Sequence, residues 1–517
     1  MKRIVIIFVV AILAISCREK ESNPQPNIVY IMADDLAAQA ISAYGGLYED
    51  IAPTPNIDRL AKEGMLFSNA FCTNSICGPS RASILTGKYS HRNGFYKNEG
   101  GDPFDSTQVT FPKILKEAGY ATAMVGKWHL WSQPTGFDYF KYHTDGGEQG
   151  VYWDPIFNEN GKSVQEKGYA TNLTADFALD WLENGRDKAK PFCLLFQFKA
   201  PHRPWQPDSI YQHIFDKIEM PYPATFNDDY STRELTAGKT MMTIENHLNN
   251  TDLKIKQPVG LNDKELAKWK RRGDKGEYIS PSDTLKGLAL KQWKYQRYIK
   301  DYLACIKSVD DNIGRLLKYL DDAGLAKNTI VVFTSDQGFY LGEHGWFDKR
   351  FMYEQSFRMP LIVRYPDKIK QGTKVNDMVL NVDFAPTLLS LAHTSIPKEM
   401  QGKSFEPILF GKTPSDWRKS VYYHYYEYPK WHNVQPHYGI RTDRYKLIHF
   451  YYNVDVWELF DLKEDPNELK NKYNDSSYKA VIADLKNQMQ KLQNEYGDTG
   501  SVNEMRKETE KGMVLYK

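Results

Sequence analysis

The sequence has no excess of charge of either sign. It carries 67 basic and 65 acidic residues, which leaves a formal net charge of +2. A protein that neutralises the phosphates of a nucleic acid needs a strong basic excess, and none is available here. The composition therefore argues against nucleic acid as a partner, and any preference for an anion is expected to be local.

The apolar run near the N-terminus, from Ile4 to Ile15, is too short to cross a bilayer, because a spanning helix needs about 20 residues. Lys2 and Arg3 precede this run. A basic start followed by a short apolar stretch predicts a secretory signal over residues 1–16. The protein is therefore expected to be exported.

The small residues before Cys17 and the polar, proline-containing segment 17–26 resemble a bacterial lipoprotein processing site. The resemblance implies that Cys17 is lipidated after cleavage, in the periplasm or outer membrane, with the cell surface also open. Membrane contact is expected only through such an anchor. A plain secretory peptide is the alternative.

Cysteine is scarce, with five in 517 residues. Cys193 and Cys305 lie in apolar or helical patterns and are expected to be small buried hydrophobic residues. Only Cys72 and Cys77 are close in sequence, and a disulfide between them is the structural alternative to a chemical role for Cys77. Aromatic residues, by contrast, are plentiful at 14%. They would suit either a core or a sugar-stacking surface.

Four apolar runs have the length and flanks of buried parallel strands, and helical patterns begin between them at Thr54, Thr110 and Ser308. This alternation predicts an α/β fold with a mostly parallel central sheet flanked by helices. The chain length adds a smaller second unit. The predicted strands are 28–32, 121–125, 192–198 and 329–334.

The expected organisation is a catalytic domain over 27–412, with a polar insertion at about 205–290. Beyond that point the sequence changes to short runs typical of antiparallel strands. This predicts a C-terminal α+β subdomain over 413–517, with a small antiparallel sheet and a helix from Tyr478 to about Tyr496.

Each predicted strand runs into polar residues that carry chemistry. In an open α/β sheet, ligands bind beyond the carboxyl ends of the strands, so these residues are expected to share one site. The four strand ends are Asp34-Asp35, Gly126-Lys127-Trp128-His129, Lys199-Ala200-Pro201-His202 and Ser335-Asp336-Gln337-Gly338.

The stretch from Cys77 to Gly87, CGPSRASILTG, resembles the C-x-P-S-R-x-x-x-L-T-G signature of the type I sulfatases. Further blocks of the sequence are similar to the same family: NIVYIMADD, GKWHL, APHRP, TSDQGFYLGEHGWFDKR and ELFDLKEDPNEL. The resemblance implies the alkaline-phosphatase-like fold, with a smaller C-terminal subdomain. The block GFYLGEHGWFDKRFMYE looks like the branch of bacterial sulfatases that act on glycosaminoglycans and algal polysaccharides.

For Cys77 the resemblance implies conversion to Cα-formylglycine (3-oxoalanine) by a separate maturation enzyme. The hydrated aldehyde is a diol, and one hydroxyl attacks sulfur while the second later expels sulfate. A serine would instead be left with a stable ester. The thiol is therefore expected to be a precursor.

The acidic residues of two strand ends suit a hard cation, because all their donors are oxygen. The expected ligands are Asp34, Asp35, Asp336, the amide oxygen of Gln337 and the modified Cys77. The resemblance implies one Ca²⁺, with Mg²⁺ less favoured. The family more often has Asn or His at the position of Gln337.

The remaining roles also follow from the resemblance. Arg81 would orient the diol and screen the carboxylates, Lys127 would contact sulfate and diol, and His129 would deprotonate the second hydroxyl. His202 and Lys349 would hold the sulfate, with His202 the candidate for protonating the leaving oxygen. His344 competes for that acid role, and an ordinary solvated basic pair is the alternative for Lys349-Arg350.

The expected substrate is a sulfated carbohydrate, with N-acetylglucosamine 6-sulfate and a sulfated algal sugar such as ulvan rhamnose 3-sulfate both open. The rival functions are a phosphate or phosphonate monoester hydrolase of the same fold and a non-catalytic lipoprotein that binds anionic glycans. Candidate substrate contacts, chosen by position, are His344, Arg350, His424, Trp431, His432, His437 and Arg441.

Overall fold

The computed structural model describes residues 25–254, 262–263 and 284–513. The predicted signal over 1–16, Cys17 and most of the 17–26 tether lie outside the described residues, as does part of the predicted insertion. In the described part of the chain, no helix is long and apolar enough to cross a membrane.

Two sheets organise the chain. The larger has eleven strands in the order β10-β2-β9-β8-β1-β7-β3-β4-β5-β6, with β11 also paired to β2, and the smaller is a β12-β13-β14-β15 meander. The strands are β1 Asn27–Ala33, β2 Met65–Phe71, β3 Ala121–Gly126, β4 Tyr139–His143, β5 Ile156–Glu159, β6 Lys162–Gln165, β7 Phe192–Gln197, β8 Thr329–Ser335, β9 Arg358–Arg364, β10 Thr373–Val375, β11 Val379–Leu380, β12 Ser420–Tyr425, β13 His437–Thr442, β14 Tyr445–Phe450 and β15 Val456–Asp461.

Helices cover both faces of the larger sheet. The α-helices of the described residues are α1 Pro55–Glu63, α2 Cys77–Thr86, α3 Ser90–Asn93, α4 Phe111–Glu117, α5 Ala170–Asp180, α6 Ile244–His247, α7 Asn250–Leu253, α8 Gly287–Asp322, α9 Glu354–Phe357, α10 Phe384–Leu391, α11 Glu406–Leu409, α12 Lys479–Tyr496 and α13 Val502–Glu510.

The four predicted strands are confirmed as β1, β3, β7 and β8. They lie side by side in the order β8-β1-β7-β3, all parallel, and each is fully buried. Burial on both faces explains why each reads as a continuous apolar run rather than an alternating one. Because the strands are parallel neighbours, their carboxyl ends meet at one edge of the sheet.

The C-terminal sheet shares a hydrophobic core with the larger sheet. Phe357 packs edge-on against Tyr423 with ring centroids 5.3 Å apart, and Tyr353 packs in the same way against Phe460 at 5.4 Å. One contiguous cluster of buried side chains runs from β1 to α13 through these contacts. The change of sequence pattern near residue 413 therefore marks the start of a second sheet, and that sheet has no separate core.

The described part of the predicted insertion, from residue 205 to residue 254, lies over the carboxyl edge of the larger sheet. Its side chains include Gln206, Met241 and Asn249, which line the cavity at that edge. The insertion thus forms one wall of the candidate site.

Candidate active site

Cys77 is the first residue of α2, and its side chain is 1% exposed at the bottom of a cavity. The helix begins here because Ile76 is extended, and it ends at Gly87, whose φ of 64° is left-handed. The Gly78 N–H donates to Asn98 Oδ1 at 2.9 Å. A Cβ at position 78 would lie 2.5 Å from the Phe95 ring, so glycine is required beside the cysteine.

Three carboxylates surround the Cys77 side chain. Asp34 and Asp35 follow β1 and Asp336 follows β8, and the parallel register that aligns Ala33 with Ser335 brings these strand ends together. Ligand atoms of Asp34, Cys77 and Asp336 lie within 4.8 Å of one another. Cys77 Sγ lies 3.7 Å from Asp35 Oδ1. Cys72 and Cys77 are both free, which rules out the alternative disulfide.

Buried cations pair with these carboxylates. The Arg81 guanidinium contacts Asp336 Oδ2 at 3.0 Å and Asp34 Oδ1 at 3.3 Å, one helical turn from Cys77 as expected. The Lys127 ammonium also pairs with Asp34. Lys349 Nζ contacts the two oxygens of Asp35 at 2.6 and 2.8 Å. Lys349 is 2% exposed and therefore not part of a solvated surface pair.

Burial and charge act differently on the three carboxylates. Burial raises the pKa of Asp34, but Lys127, His202 and Arg81 outweigh it and hold that pKa well below its ordinary value. For Asp336, burial and the neighbouring Asp34 carboxylate raise the pKa to about 7. Burial likewise raises the pKa of Asp35. A further positive charge beside these acids would favour the ionised forms of Asp35 and Asp336.

The donor set fits a hard divalent cation. Gln337 Nε2 donates to Asp35 Oδ1 at 2.5 Å, which turns the amide oxygen away from this contact. Gln337 Oε1 is buried and has no hydrogen-bond partner among the residues that the structure describes. An orphaned amide oxygen beside three carboxylates is an all-oxygen ligand set, the kind that Ca²⁺ or Mg²⁺ prefers over Zn²⁺. Asp34, Asp35, Asp336 and Gln337 would hold the ion.

Two imidazoles lie beside this cluster. His202 Nε2 is 3.7 Å from Asp35 Oδ2, and His202 Nδ1 lies 2.8 Å from the Arg203 carbonyl oxygen. His129 is buried, and within the described part of the chain its Nδ1 has no hydrogen-bond partner. Burial and then the Lys127 ammonium lower the pKa of both imidazoles well below the ordinary value. Both are therefore neutral around pH 7 in the protein without bound ligand.

The cavity above Cys77 has a volume of about 430 Å³, which is within the range of small-molecule sites. Trp131 and Trp431 stand at its mouth, 40% and 45% exposed. The lining residues are Cys77, Asn98, Glu99, Trp131, Gly146, Gly147, Gln149, Gly150, Val151, Tyr152, Lys199, His202, Arg203, Pro204, Gln206, Met241, His247, Asn249, Thr251, Asp252, Asp348, Lys349, Arg350, Trp431 and His432.

Three of the seven candidate substrate contacts reach this cavity. Arg350, Trp431 and His432 line it. His432 Nε2 lies 3.0 Å from Asp348 Oδ2, and Arg350 Nη1 lies 3.0 Å from Glu427 Oε1. Arg350, His432 and Asp348 thus form one polar wall of the cavity.

The other four candidates do not line the cavity, which corrects the prediction that they contact substrate. His344 Nδ1 bonds Asp228 at 2.7 Å in the interior, so the structure gives it neither a substrate contact nor the acid role. His424 Nδ1 bonds Asp498 at 2.6 Å.

His437 and Arg441 lie on β13, inside the shared core. His437 Nε2 accepts the Met352 N–H at 3.1 Å and its Nδ1 side contacts the Gln435 carbonyl oxygen at 2.7 Å. Arg441 lies over the Phe71 ring and pairs with Glu354 at 3.3 Å. Both side chains therefore have structural partners, and nothing in the chain order distinguishes them from residues at the site edge.

Sequence reasoning missed several residues of the cavity. Lys199 was named within a strand-end block but given no role, and Asp348 is adjacent in the chain to Lys349, so the position of each was a usable signal. Arg203 and Trp131 also follow strand-end blocks that carry a predicted residue. Glu427 gives no such signal, because it lies in the C-terminal region.

Glu427 joins three segments of the chain at the edge of the cavity. Its Oε1 faces Arg350, while its Oε2 accepts the Asn98 and Glu99 N–H groups at 2.7 and 3.1 Å. Asn98 in turn accepts from Gly78 at the start of α2. A carboxylate from the C-terminal region thus supports both the polar wall and the segment beside Cys77.

Comparison with known proteins matches this geometry to a family. The family model described as "Sulfatase" covers residues 26–394, and the model "N-sulphoglucosamine sulphohydrolase, C-terminal" covers residues 342–495. The chain belongs to the sulfatase family. This sulfatase is a sulfuric ester hydrolase with the alkaline-phosphatase-like fold, as the sequence motifs implied.

The similarity to one bacterial relative spans almost the whole sulfatase. An N-acetylglucosamine-6-O-sulfatase of Bacteroides thetaiotaomicron is 47% identical over 96% of this chain and 90% of its own length. A solved structure in complex with its substrate D-glucosamine-2-N,6-O-disulfate is also 47% identical, with a TM-score of 0.86 over 92% of this chain and 99% of its own.

The fold alone does not determine whether the substrate is a sulfate, phosphate or phosphonate ester. The phosphonate monoester hydrolase of Agrobacterium radiobacter superposes with a TM-score of 0.69 over 91% of this chain and 96% of its own, at 22% identity. The family match and the closer relative, and not the fold, therefore favour sulfate over phosphate or phosphonate.

Proposed function

We propose that the sulfatase removes the 6-O-sulfate from a glucosamine residue at the end of a glycan chain. The observation that carries this proposal is the 47% identity, along 96% of the chain, to an N-acetylglucosamine-6-O-sulfatase. Cys77 is only 1% exposed within the cavity, which favours a terminal sugar that can enter it over the interior of a polymer. The 6-O-sulfate is therefore proposed over the algal alternative.

The proposed nucleophile is the hydrate of formylglycine, made from Cys77 by a separate maturation enzyme. Burial raises the pKa of the encoded thiol well above its ordinary value, so a reactive thiolate at this position is disfavoured. A hydrate hydroxyl needs no thiolate and would occupy the same place beside Asp35. The buried thiol is thus better suited as a precursor than as the nucleophile itself.

The first chemical step forms a bond between a hydrate oxygen and sulfur while the bond between sulfur and the sugar oxygen breaks. The attacking hydroxyl would give its proton to Asp35, whose Oδ1 lies 3.7 Å from Cys77 Sγ. Arg81 and Lys127 would hold the hydrate, and Lys349 would hold the sulfate. The leaving sugar oxygen would take a proton from His202, which acquires that proton from solvent when the negative sulfate ester binds beside it and raises the imidazole pKa.

The second step releases sulfate. The remaining hydrate hydroxyl gives its proton to His129, the carbon–oxygen bond to the sulfate breaks, and the aldehyde reforms. Water then adds to the aldehyde and restores the hydrate. No attack of water on sulfur is needed, which is the advantage of a diol over a serine hydroxyl.

The proposed metal is Ca²⁺, held by Asp34, Asp35, Asp336 and Gln337. When bound, a divalent cation supplies positive charge that favours the ionised hydroxyl and the negative sulfate oxygens. The orphaned Gln337 oxygen and the raised pKa of Asp336 support a cation between these groups.

The walls suit a sugar. Trp131 and Trp431 offer exposed aromatic faces at the mouth, and Asp348, Arg350 and His432 present charged hydrogen-bonding groups on one side. Carbohydrate rings bind to sites that combine aromatic surface with a few convergent polar groups. We propose that these three polar residues contact the hydroxyl groups of the sugar.

A panel of defined esters tests the substrate. N-acetylglucosamine 6-sulfate and the N,6-disulfated sugar should be hydrolysed, while galactose 6-sulfate, glucosamine 3-sulfate and rhamnose 3-sulfate should react at least about tenfold more slowly. Aryl phosphate and phosphonate esters provide the control for the rival chemistry. A preference for rhamnose 3-sulfate or for a phosphorus ester would contradict the proposal.

We further propose that the protein is exported and lipidated at Cys17. The support is the basic start, the short apolar run and the cysteine that follows it. Cells fed an alkyne-tagged fatty acid should label the wild type but not Cys17→Ala, and both should remain exported. If the exported wild type carries no label, Cys17 is not lipidated and the N-terminus is a plain secretory peptide.

A further inference from the structure

Lys199 lies inside the cavity and has no role in the chemistry described above. It follows β7 by two residues and is 3% exposed. Its side chain lines the same cavity as Cys77 and His202. A lysine buried in a cavity that admits a sulfate ester needs a partner for its positive charge.

The other lysine and arginine side chains that line the cavity each face a carboxylate. Lys349 pairs with Asp35, Arg203 with Asp252 and Arg350 with Glu427. Among the residues that the structure describes, no carboxylate lies within 4.0 Å of the Lys199 ammonium. Lys199 is therefore the basic lining residue whose charge is not matched by an ion pair.

The contacts of the Lys199 ammonium leave it short of acceptors. Nζ donates to the Arg203 carbonyl oxygen at a long 3.3 Å and lies 4.9 Å from the centre of the Tyr152 ring. An ammonium has three N–H donors, and burying one without an opposite charge is costly. Burial and then Lys127 lower the pKa of Lys199 to about 8. An anion in the cavity would supply the missing acceptor.

The position of the ammonium identifies that anion. The carbonyl oxygen of Arg203 that accepts from Lys199 also contacts His202 Nδ1 at 2.8 Å. Lys199 thus shares a partner with the Nδ1 side of His202, and its ammonium is close enough to Lys127, Asp34 and Asp35 for their charges to act on its pKa. A sulfate bound between Lys349 and His202 would bring negative charge into this neighbourhood.

We propose that Lys199 is a substrate-binding residue whose ammonium donates a hydrogen bond to a non-bridging oxygen of the scissile sulfate, and afterwards to the released sulfate ion. This proposal rests on the proposed function, since it places the sulfate of that substrate. It adds a cation to the site that the motif-based assignment does not include.

The test measures competitive inhibition by inorganic sulfate with Lys199→Met and Lys199→Arg enzymes. Methionine keeps the hydrocarbon stem against Tyr152 and removes the charge. The inhibition constant for sulfate and KM should both rise about 10- to 100-fold in Lys199→Met, the size of one charge-assisted hydrogen bond. Lys199→Arg should recover most of that loss, because it keeps a donor and a positive charge.

Lys141→Met is the matched control. Lys141 is also buried, and it lies 3.6 Å from the centre of the Phe177 ring, but it pairs with Glu159 and Glu166 and does not line the cavity. Its loss should lower the melting temperature and leave the inhibition constant for sulfate unchanged. If Lys199→Met does not fold, Lys199→Gln carries the same test.

An unchanged inhibition constant for sulfate in folded Lys199→Met would overturn the proposal. A loss confined to the N,6-disulfated sugar, with the 6-sulfate unaffected, would also overturn it, because the ammonium would then bind the second sulfate. Failure of the proposed function is a separate result: the wild type would prefer another ester in the panel whatever Lys199 does.

Discussion

Histidine residues occur at the carboxyl edge of the larger sheet and inside the C-terminal sheet, and the two groups differ in what surrounds them. His202 faces a cavity and an acidic cluster. His437 and His424 face backbone groups, rings or Asp498, and they are sealed in the core. Parallel strands deliver polar side chains to an edge, while the antiparallel strands here bury theirs among core side chains. The same residue type is thus expected to act in chemistry at one place and in stability at the other.

The largest effect expected on the edge side of this comparison comes from Cys77→Ala. Turnover of the sulfate ester should fall by at least about 10⁴-fold, on the scale of nucleophile deletions in other covalent enzymes. The melting temperature should change little, because alanine keeps the Cβ and removes only one sulfur atom. The measurement combines steady-state kinetics with a thermal scan, and the peptide that carries position 77 in active wild type should be lighter than its cysteine form. Undiminished turnover would exclude the mechanism.

The direct test of the contrast is the pair His202→Ala and His437→Ala. Loss of the proposed acid should lower kcat/KM on a sugar sulfate by about 10²- to 10³-fold, and less on an aryl sulfate whose leaving group needs no proton. Loss of His437 should cost about 1–3 kcal/mol of stability, because it leaves the Met352 N–H unpaired, with kcat/KM unchanged. Equal losses of activity in both variants would abolish the distinction between the regions.

The pH dependence of the free energy of unfolding tests the structural role of His437. Burial lowers the pKa of His437 to about 3, below its unfolded value of about 6.5. Between these values the unfolded chain binds a proton that the folded chain does not, so stability is complete above about pH 6.5 and falls as the pH drops. Wild type should lose about 1.4 kcal/mol per pH unit more than His437→Gln between pH 6 and pH 4. Parallel urea-unfolding curves for the two proteins would show that the core histidine is not the source.

The smallest expected effect concerns the mouth of the cavity. Trp431→Ala should raise KM for the sugar sulfate about fivefold with kcat unchanged, because a stacking face is lost without touching the reacting atoms. Phe410→Ala removes an aromatic side chain of similar exposure that does not line the cavity, and it should leave KM unchanged. A change in kcat would place Trp431 closer to the chemistry than the structure does.

The parallel strands and their polar ends could be predicted because burial on both faces leaves a strong local pattern. The runs at 28–32 and 329–334 became β1 and β8, and their register alone brings Asp34 and Asp336 together. The direction of β9 carries no such pattern. It runs antiparallel to both of its neighbours, β2 and β8, although it is buried much like the parallel strands.

The walls of the site were harder to predict, since they depend on which face of a strand or turn packs inward. His437 on β13 is buried, while Trp431 and His432 in the preceding turn reach the cavity, and six residues of chain separate these outcomes. Their roles were assigned by nearness to an expected edge, which does not determine side-chain direction. Lys199 was quoted as part of a strand end but overlooked, because its significance lies in the partner it lacks.

The carboxylate of Glu427 has a consequence for changing what this enzyme acts on. Because it holds Arg350 from one side and the backbone of Asn98 from the other, substitutions that keep Glu427 but change its C-terminal neighbours would shift a cavity wall while the start of the nucleophile's helix keeps its support. Libraries meant to redirect the enzyme toward other sugars would therefore start at residues 428–434. Grafting that segment from a relative tests whether preference for the sugar travels separately from the chemistry.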